Sequence, residues 1–303
     1  MQLGRLPFYQ LNYSRVCYRI AHPAHRLNSL FGGLCAMIVP MIITSPHNPK
    51  VKALLALRER RTRETARLAL VEGYEELQLA LMSGTRPVEL FYAPAYFSTE
   101  AQRALIERFQ ARGAACYEVS PRVFDKLAYR EHPDGWIGTF AFQPSPLMRL
   151  RLSDAPFVVL CEGVEKPGNL GAILRTAEAA GVDAVIACDP RTDWTNPNVI
   201  RASKGALFAL QVAAASNQEA LAWLRQHEMR LIVATPSASV RYTAPDYRNG
   251  VALALGTEKH GLSSFWLANA DQAVAIPMFG TVNSLNVSAA AALLIYEVVR
   301  QRT

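Results

Sequence analysis

Three short segments in the second half of this 303-residue chain hold side chains suited to one reaction centre. The first is Asn169-Leu170-Gly171-Ala172-Ile173-Leu174-Arg175-Thr176-Ala177 and the second is Leu255-Gly256-Thr257-Glu258-Lys259-His260-Gly261-Leu262. The third runs from Ile276-Pro277-Met278 into Asn283-Ser284-Leu285-Asn286-Val287-Ser288-Ala289. Each follows an apolar, strand-like run and sets glycine or small polar residues where backbone must approach a ligand closely. The chemistry on offer is hydrogen bonding by Asn169, Ser284 and Asn286, one carboxylate at Glu258 and one cation at Arg175. An arginine stays protonated at any working pH, so Arg175 can hold an anion or stabilise developing negative charge but makes a poor base. Metal chemistry is badly served. The six histidines are dispersed, no acidic cluster faces them, and the five cysteines show no CxxC pair.

These residues need a frame to hold them. Apolar runs over 156–161, 184–188, 231–234, 251–255 and 273–276 read as buried strands, and 169–181, 199–208 and 284–300 read as helices. Continuous apolar strands separated by helices indicate a parallel sheet covered on both faces. Such sheets bind ligands at the carboxyl ends of their strands, which is where the three segments lie. That pattern alone describes a Rossmann-like domain with a nucleotide ligand. A nicotinamide-dependent oxidoreductase is one member of that class, but no GxGxxG follows the first strand and no P-loop lysine motif occurs.

The order and spacing of the three segments resemble the signature motifs of the SpoU (TrmH-type) RNA ribose 2'-O-methyltransferases, within the SPOUT superfamily. The likeness extends over residues 42–303 and starts at Ile42. It implies an α/β fold in which a C-terminal SPOUT parallel-sheet domain carries a deep trefoil knot, its last helix threaded through a loop. A smaller L30e-like α/β RNA-binding domain precedes it. Topology rules alone argue against a knot, and nothing in the periodicity shows one. The implied reaction is methyl transfer from S-adenosyl-L-methionine to a ribose 2'-OH, foremost in ribosomal (23S-type) RNA. A tRNA 2'-O-methyltransferase, or a non-catalytic RNA-binding protein of the same fold, are the alternatives.

Residue by residue, the resemblance assigns catalytic work to Arg175, Asn169, Glu258, Ser284 and Asn286. Glu258 is expected to hold its loop and Arg175. Cofactor contacts fall to Thr235, Pro236, Leu255, Gly256, Ile276, Met278, Leu285 and Asn286. His260 has the side chain most used for proton transfer, yet the family places no demand on it. The resemblance also implies a homodimer through the C-terminal domain, with the site at the interface.

The charge is divided unevenly. Residues 1–150 hold 19 Lys and Arg against 12 Asp and Glu, whereas residues 151–303 hold 13 of each, so the net +7 lies wholly in the first half. Arg58, Arg60, Arg61, Arg63 and Arg67 crowd into ten residues with only Glu59 and Glu64 against them. The reading is that the N-terminal half meets RNA phosphates while the neutral half carries the reaction. Alternating strand and helix signals span 42–143, with Asn48-Pro49 placed to open a helix. Paired prolines mark 144–154 as linker, leaving 155–303 for the catalytic domain. Residues 1–40 read as an extension, disordered or preceding the true start at Met37 or Met41. Their apolar stretch from 30 to 43 is too short to span a bilayer. Odd, scattered cysteines fit a reduced cytoplasmic protein.

Overall fold

Residues 42–303 are described by the computed structural model and form one compact unit; the expectations for residues 1–40 lie outside the described residues. The chain enters through α1 (Pro49–Ala56), where the Asn48 side chain accepts the Lys50 N–H at 2.8 Å and Pro49 occupies the first turn. That start was legible because a cap and a helix-compatible proline satisfy the orphan donors of the first turn. Next come α2 (Arg60–Ala66), β1 (Leu68–Glu72), α3 (Tyr74–Met82), β2 (Pro87–Tyr92), α4 (Ala104–Gln110), β3 (Ala115–Glu118), α5 (Pro121–Leu127) and β4 (Trp136–Ala141). The four strands form a mixed sheet in the order β1-β4-β2-β3, with only β2 and β3 parallel. Its core gathers Leu77, Phe109, Trp136 and Phe140, and Phe97 stacks on Trp136 at 4.2 Å between ring centres.

The second sheet is built from β5 (Phe157–Glu162), β6 (Ala184–Cys188), β7 (Gln211–Ala215), β8 (Arg230–Ala234), β9 (Val251–Leu255) and β10 (Gln272–Val274). All pairs are parallel, in the order β10-β8-β9-β5-β6-β7. Between the strands run α6 (Pro167–Ala179), α7 (Pro197–Ala202), α8 (Asn217–Gln226) and α9 (Ser264–Asn269), and α10 (Val287–Arg302) closes the chain. Every residue of β5, β6 and β9 is buried, as a sheet covered on both faces requires. Each such Val, Leu or Ile contributes roughly 1.5–3 kcal/mol of burial.

Two helix ends differ most from the sequence reading. The final helix begins at Val287 rather than at 284, because Asn286 caps it by accepting the Ser288 N–H at 2.9 Å. The helix read over 199–208 stops at Ala202, where Lys204 and Gly205 turn left-handed (φ 54° and 82°). β7, α5, α8 and α9 lie outside the individually predicted strands and helices. Gly171 has a packing role: a Cβ there would lie 2.5 Å from the Ala202 Cβ, so its absence lets α6 and α7 cross closely.

Two junctions bear on the site. The end of α10 is collared by backbone oxygens: Arg302 donates to Ala155 at 2.7 Å, Asn249 at 2.6 Å and Tyr247 at 2.9 Å, while Gln301 donates to Pro245 at 3.0 Å. The two sheets are joined through Arg63, whose side chain is only 2% exposed and pairs with Asp193 at 2.8 Å. No helix of the described residues is long and apolar enough to cross a membrane.

Candidate active site

The carboxyl ends of β8, β9 and β10 open into a cavity of about 700 Å³, closed on its other side by the loop leading into α10. A cavity of that size suits a nucleotide-sized molecule. Thr235, Pro236, Leu255, Gly256, Ile276, Met278, Leu285 and Asn286 all line it, together with Glu258, Ser284 and His260. Leu255, Ile276, Met278 and Leu285 supply apolar walls, while Thr235, Ser284 and Asn286 supply hydroxyl and amide groups. The parallel register makes this convergence: each strand ends at the same level, so loops far apart in sequence share one rim.

The segment after β9 folds back tightly. Thr257 and Gly261 exchange two backbone hydrogen bonds at 2.9 and 3.0 Å, with Gly261 left-handed at φ 69°. A Cβ on Gly256 would sit 2.0 Å from the Gly261 carbonyl carbon, so only glycine permits the closure. The loop tip carries Glu258, Lys259 and His260, and the His260 N–H is taken by the Thr257 hydroxyl at 3.0 Å.

One chain of side-chain hydrogen bonds ties the three segments together. Asn286 Nδ2 donates to Asn169 Oδ1 at 3.1 Å, and Asn169 Nδ2 donates to Glu258 Oε1 at 2.6 Å. Both amides are thereby oriented, since Asn286 Oδ1 is already occupied by the Ser288 N–H at 2.9 Å and hydroxyl at 2.6 Å. Partial burial works to raise the pKa of Glu258, but donation from Asn169 and from the N–H groups of Glu258, Glu165 and Lys166 outweighs it. The net direction is downward, so Glu258 stays ionised below the usual carboxylate range.

Other expected residues stand elsewhere. Arg175 follows Asn169 by six residues on α6, about 9 Å along the helix axis. It is exposed, does not line the cavity and bonds to no side chain among the described residues. Glu258 holds Asn169, not Arg175. Ser284 lines the cavity but is not the helix cap.

The five arginines do not form one patch. Arg63 is buried and donates to Asp193, to Thr195, and to the carbonyls of Leu57 and Arg58, which removes it from any RNA surface. Arg58 donates to the carbonyls of Lys126, Leu127 and Ala128, closing the end of α5. Arg60 is bonded to Glu64 at 2.7 Å. Only Arg61 and Arg67 are exposed without a side-chain partner among the described residues. The sequence reading missed Lys166 and Lys259, which stand at the lip of the cavity; the Lys166-Pro167 start of α6 was the available signal.

Comparison with known proteins agrees with this architecture. Residues 156–296 match the SpoU rRNA Methylase family, and residues 48–138 match the MRM3-like substrate binding domain. The chain is 33% identical over 264 residues to an uncharacterized tRNA/rRNA methyltransferase of Synechocystis sp., covering 86% of this chain and 94% of that protein. It is 30% identical over 261 residues to a 23S rRNA (uridine(2479)-2'-O)-methyltransferase of Streptomyces viridochromogenes, covering 83% and 88%. Among solved structures, it matches an AdoMet-bound rRNA methyltransferase from Sinorhizobium meliloti with a TM-score of 0.79 and 30% identity, over 85% of this chain and 97% of that one.

Proposed function

This chain belongs to the SpoU rRNA methylase family, is an RNA 2'-O-ribose methyltransferase that uses S-adenosylmethionine, and, we propose, modifies 23S-type ribosomal RNA at the cavity described above. The observation that carries the site assignment is the hydrogen-bond chain Asn286–Asn169–Glu258 on the rim of that cavity. A cofactor with an adenine ring and a charged methionine chain needs apolar walls, close backbone and a few polar groups. The cavity offers each, in Leu255, Ile276 and Leu285, in Gly256, and in Thr235 and Asn286. When bound, S-adenosylmethionine supplies an electrophilic methyl group.

The chain's own residues do the rest. Asn169 and Asn286 hold Glu258, and through it the 256–262 loop, in one position, so that the cavity is ordered before RNA arrives. Ser284 offers a hydroxyl to orient the incoming ribose. Arg175 grips the phosphate beside the target ribose and stabilises the alkoxide that develops on the 2'-oxygen. The proton leaves late, to solvent or a neighbouring acceptor, since a guanidinium does not take it.

Arg175 reaches the ribose in a homodimer. α6 packs on α10, so Arg175 shares a helical layer with the exposed Leu293 and Tyr296 of α10, 41% and 49% exposed. Phe279 and Val282, in the loop before α10, are also exposed. A second copy on this face buries these side chains and brings its own Arg175 toward the cavity. Residues 42–143 form the RNA-docking domain, 144–154 the linker and 155–303 the catalytic domain.

The test is incubation of the protein with tritiated S-adenosylmethionine and bulk ribosomal RNA or tRNA, alongside R175A. Label in ribosomal RNA that vanishes in the variant supports the reading. Label in tRNA alone moves the substrate, and RNA binding with no label in either RNA makes the protein a non-catalytic binder.

A further inference from the structure

The loop that walls the cavity, 256–262, is held at its tip by Asn169 and at its far end by a residue outside the three motifs. Glu162 is the last residue of β5 and is 8% exposed. Its Oε2 accepts the Ser263 N–H at 2.7 Å, one residue beyond the loop. Its Oε1 accepts Asn217 Nδ2 at 2.9 Å, and Asn217 Oδ1 in turn accepts the indole N–H of buried Trp266 at 2.8 Å. The indole therefore fixes which way the Asn217 amide faces. Two donors converge on two oxygens, and only a carboxylate meets both, because an amide offers one acceptor and one donor group. The strand end also touches the loop directly. Gly163 is left-handed at φ 57°, and a Cβ there would lie 3.0 Å from the Thr257 methyl.

We propose that Glu162 is a positioning residue for methyl transfer, setting the 256–262 loop against the cofactor from its buried side. The proposal rests on the reading of this cavity as the S-adenosylmethionine site. Glu162 does not line the cavity and touches no reacting group; it acts through the loop, of which Gly256 to Leu262 all line it. Glu162 thus fixes the far end of a loop whose tip is tied to the first motif by the part-buried bond from Asn169.

The test is calorimetric titration of S-adenosylmethionine into the native protein and its variants, with Tm and kcat at saturating cofactor measured alongside. E162Q turns an NH₂ group toward one of the two donors. It should raise the Kd for S-adenosylmethionine about ten-fold while kcat at saturation stays within about three-fold, since one buried donor loses its partner. The double variant E162Q/N217D re-matches every donor: the new amide donates to the new carboxylate, which still accepts from Trp266. It should return the Kd to within about two-fold of native. N217A keeps the bond to Ser263 and should raise the Kd about three-fold, so it carries the comparison if E162Q does not fold. Native cofactor affinity in E162Q or N217A overturns the proposal. So does a loss in E162Q that the double variant fails to recover. A native protein that binds no S-adenosylmethionine overturns the cavity reading itself, and this inference with it.

Discussion

The arginines in and around α2 and the polar residues at the strand ends of the second sheet spend their hydrogen bonds in opposite ways. Arg58 and Arg63 give theirs to carbonyls and to Asp193, welding helices and sheets together. Asn169, Glu258 and Asn286 give theirs to one another, beside a cavity that Glu258 and Asn286 line. A run of like charges on a helix turns through 100° per residue, so its members face different neighbours and the inward ones are consumed by structure. Loops at the ends of parallel strands have no such divergence. They emerge on one edge at one level, and residues separated by about ninety positions become hydrogen-bond partners. Charge crowding in sequence is thus weaker grounds for a shared site than similar turns at successive strand ends.

The largest effect expected from breaking this contrast is at Arg175. R175Q should lower turnover by a factor of about 10²–10³ with the Kd for S-adenosylmethionine unchanged, because the cation acts on the developing charge and lies outside the cavity. R175K separates the two accounts of its role: near-normal activity climbing steeply with pH would sink electrostatic stabilisation in favour of a base. Next in size is R63A. Leaving Asp193 without its partner at this nearly buried position costs about 3–5 kcal/mol, which should lower Tm by roughly 10 °C. If RNA affinity fell with Tm unchanged, Arg63 would belong to the RNA surface after all.

A smaller effect comes from Glu258. Its pKa is held below the unfolded value, so the stability it brings is present above the ordinary carboxylate pKa of about 4.3 and is lost as pH falls through the lower folded value. The Kd for S-adenosylmethionine should therefore be flat from neutral pH down to about pH 4.3 and weaken below that, whereas E258Q should bind more weakly throughout and show no such break. Smallest of all should be R61A and R67A. Each exposed arginine removes about one phosphate contact, lowering RNA affinity a few-fold and the slope of log affinity against log salt by about one. R58A, by contrast, should leave that slope unchanged while loosening the end of α5.

The second sheet was legible because its central strands are unbroken apolar runs: 184–188 and 251–255 were read to the residue. β7 was not, since Gln211-Val212-Ala213-Ala214-Ala215 is rich in alanine and lacks the β-branched signature. α8 carries a local signal, since Ser216 and Glu219 form a reciprocal capping box. The early stop of α7 has a local signal in Gly205, just past the helix end, and the fit of Gly205 against Glu76 of α3, 3.3 Å from where a Cβ would stand, adds a tertiary one. Among site residues, those on the cavity wall were legible through the motif resemblance, whose segments follow the strands. Glu162 was not, because a carboxylate ending an apolar strand looks the same whether it faces solvent or two buried donors.

By itself the sequence determined the class of the chain, the parallel sheet and the residues able to line a nucleotide-sized cavity. The sheet follows from hydrophobic periodicity, a local property, whereas the class and the cavity residues follow from the resemblance of three motifs in order. Tertiary structure alone decided which polar atoms meet. It joined Asn169 to Glu258 and Asn286, left Arg175 apart from them on its helix, and sealed Arg63 against Asp193. Whether a charged side chain is a site or a strut depends on what surrounds it, and burial and partners are set by contacts between segments far apart in the chain.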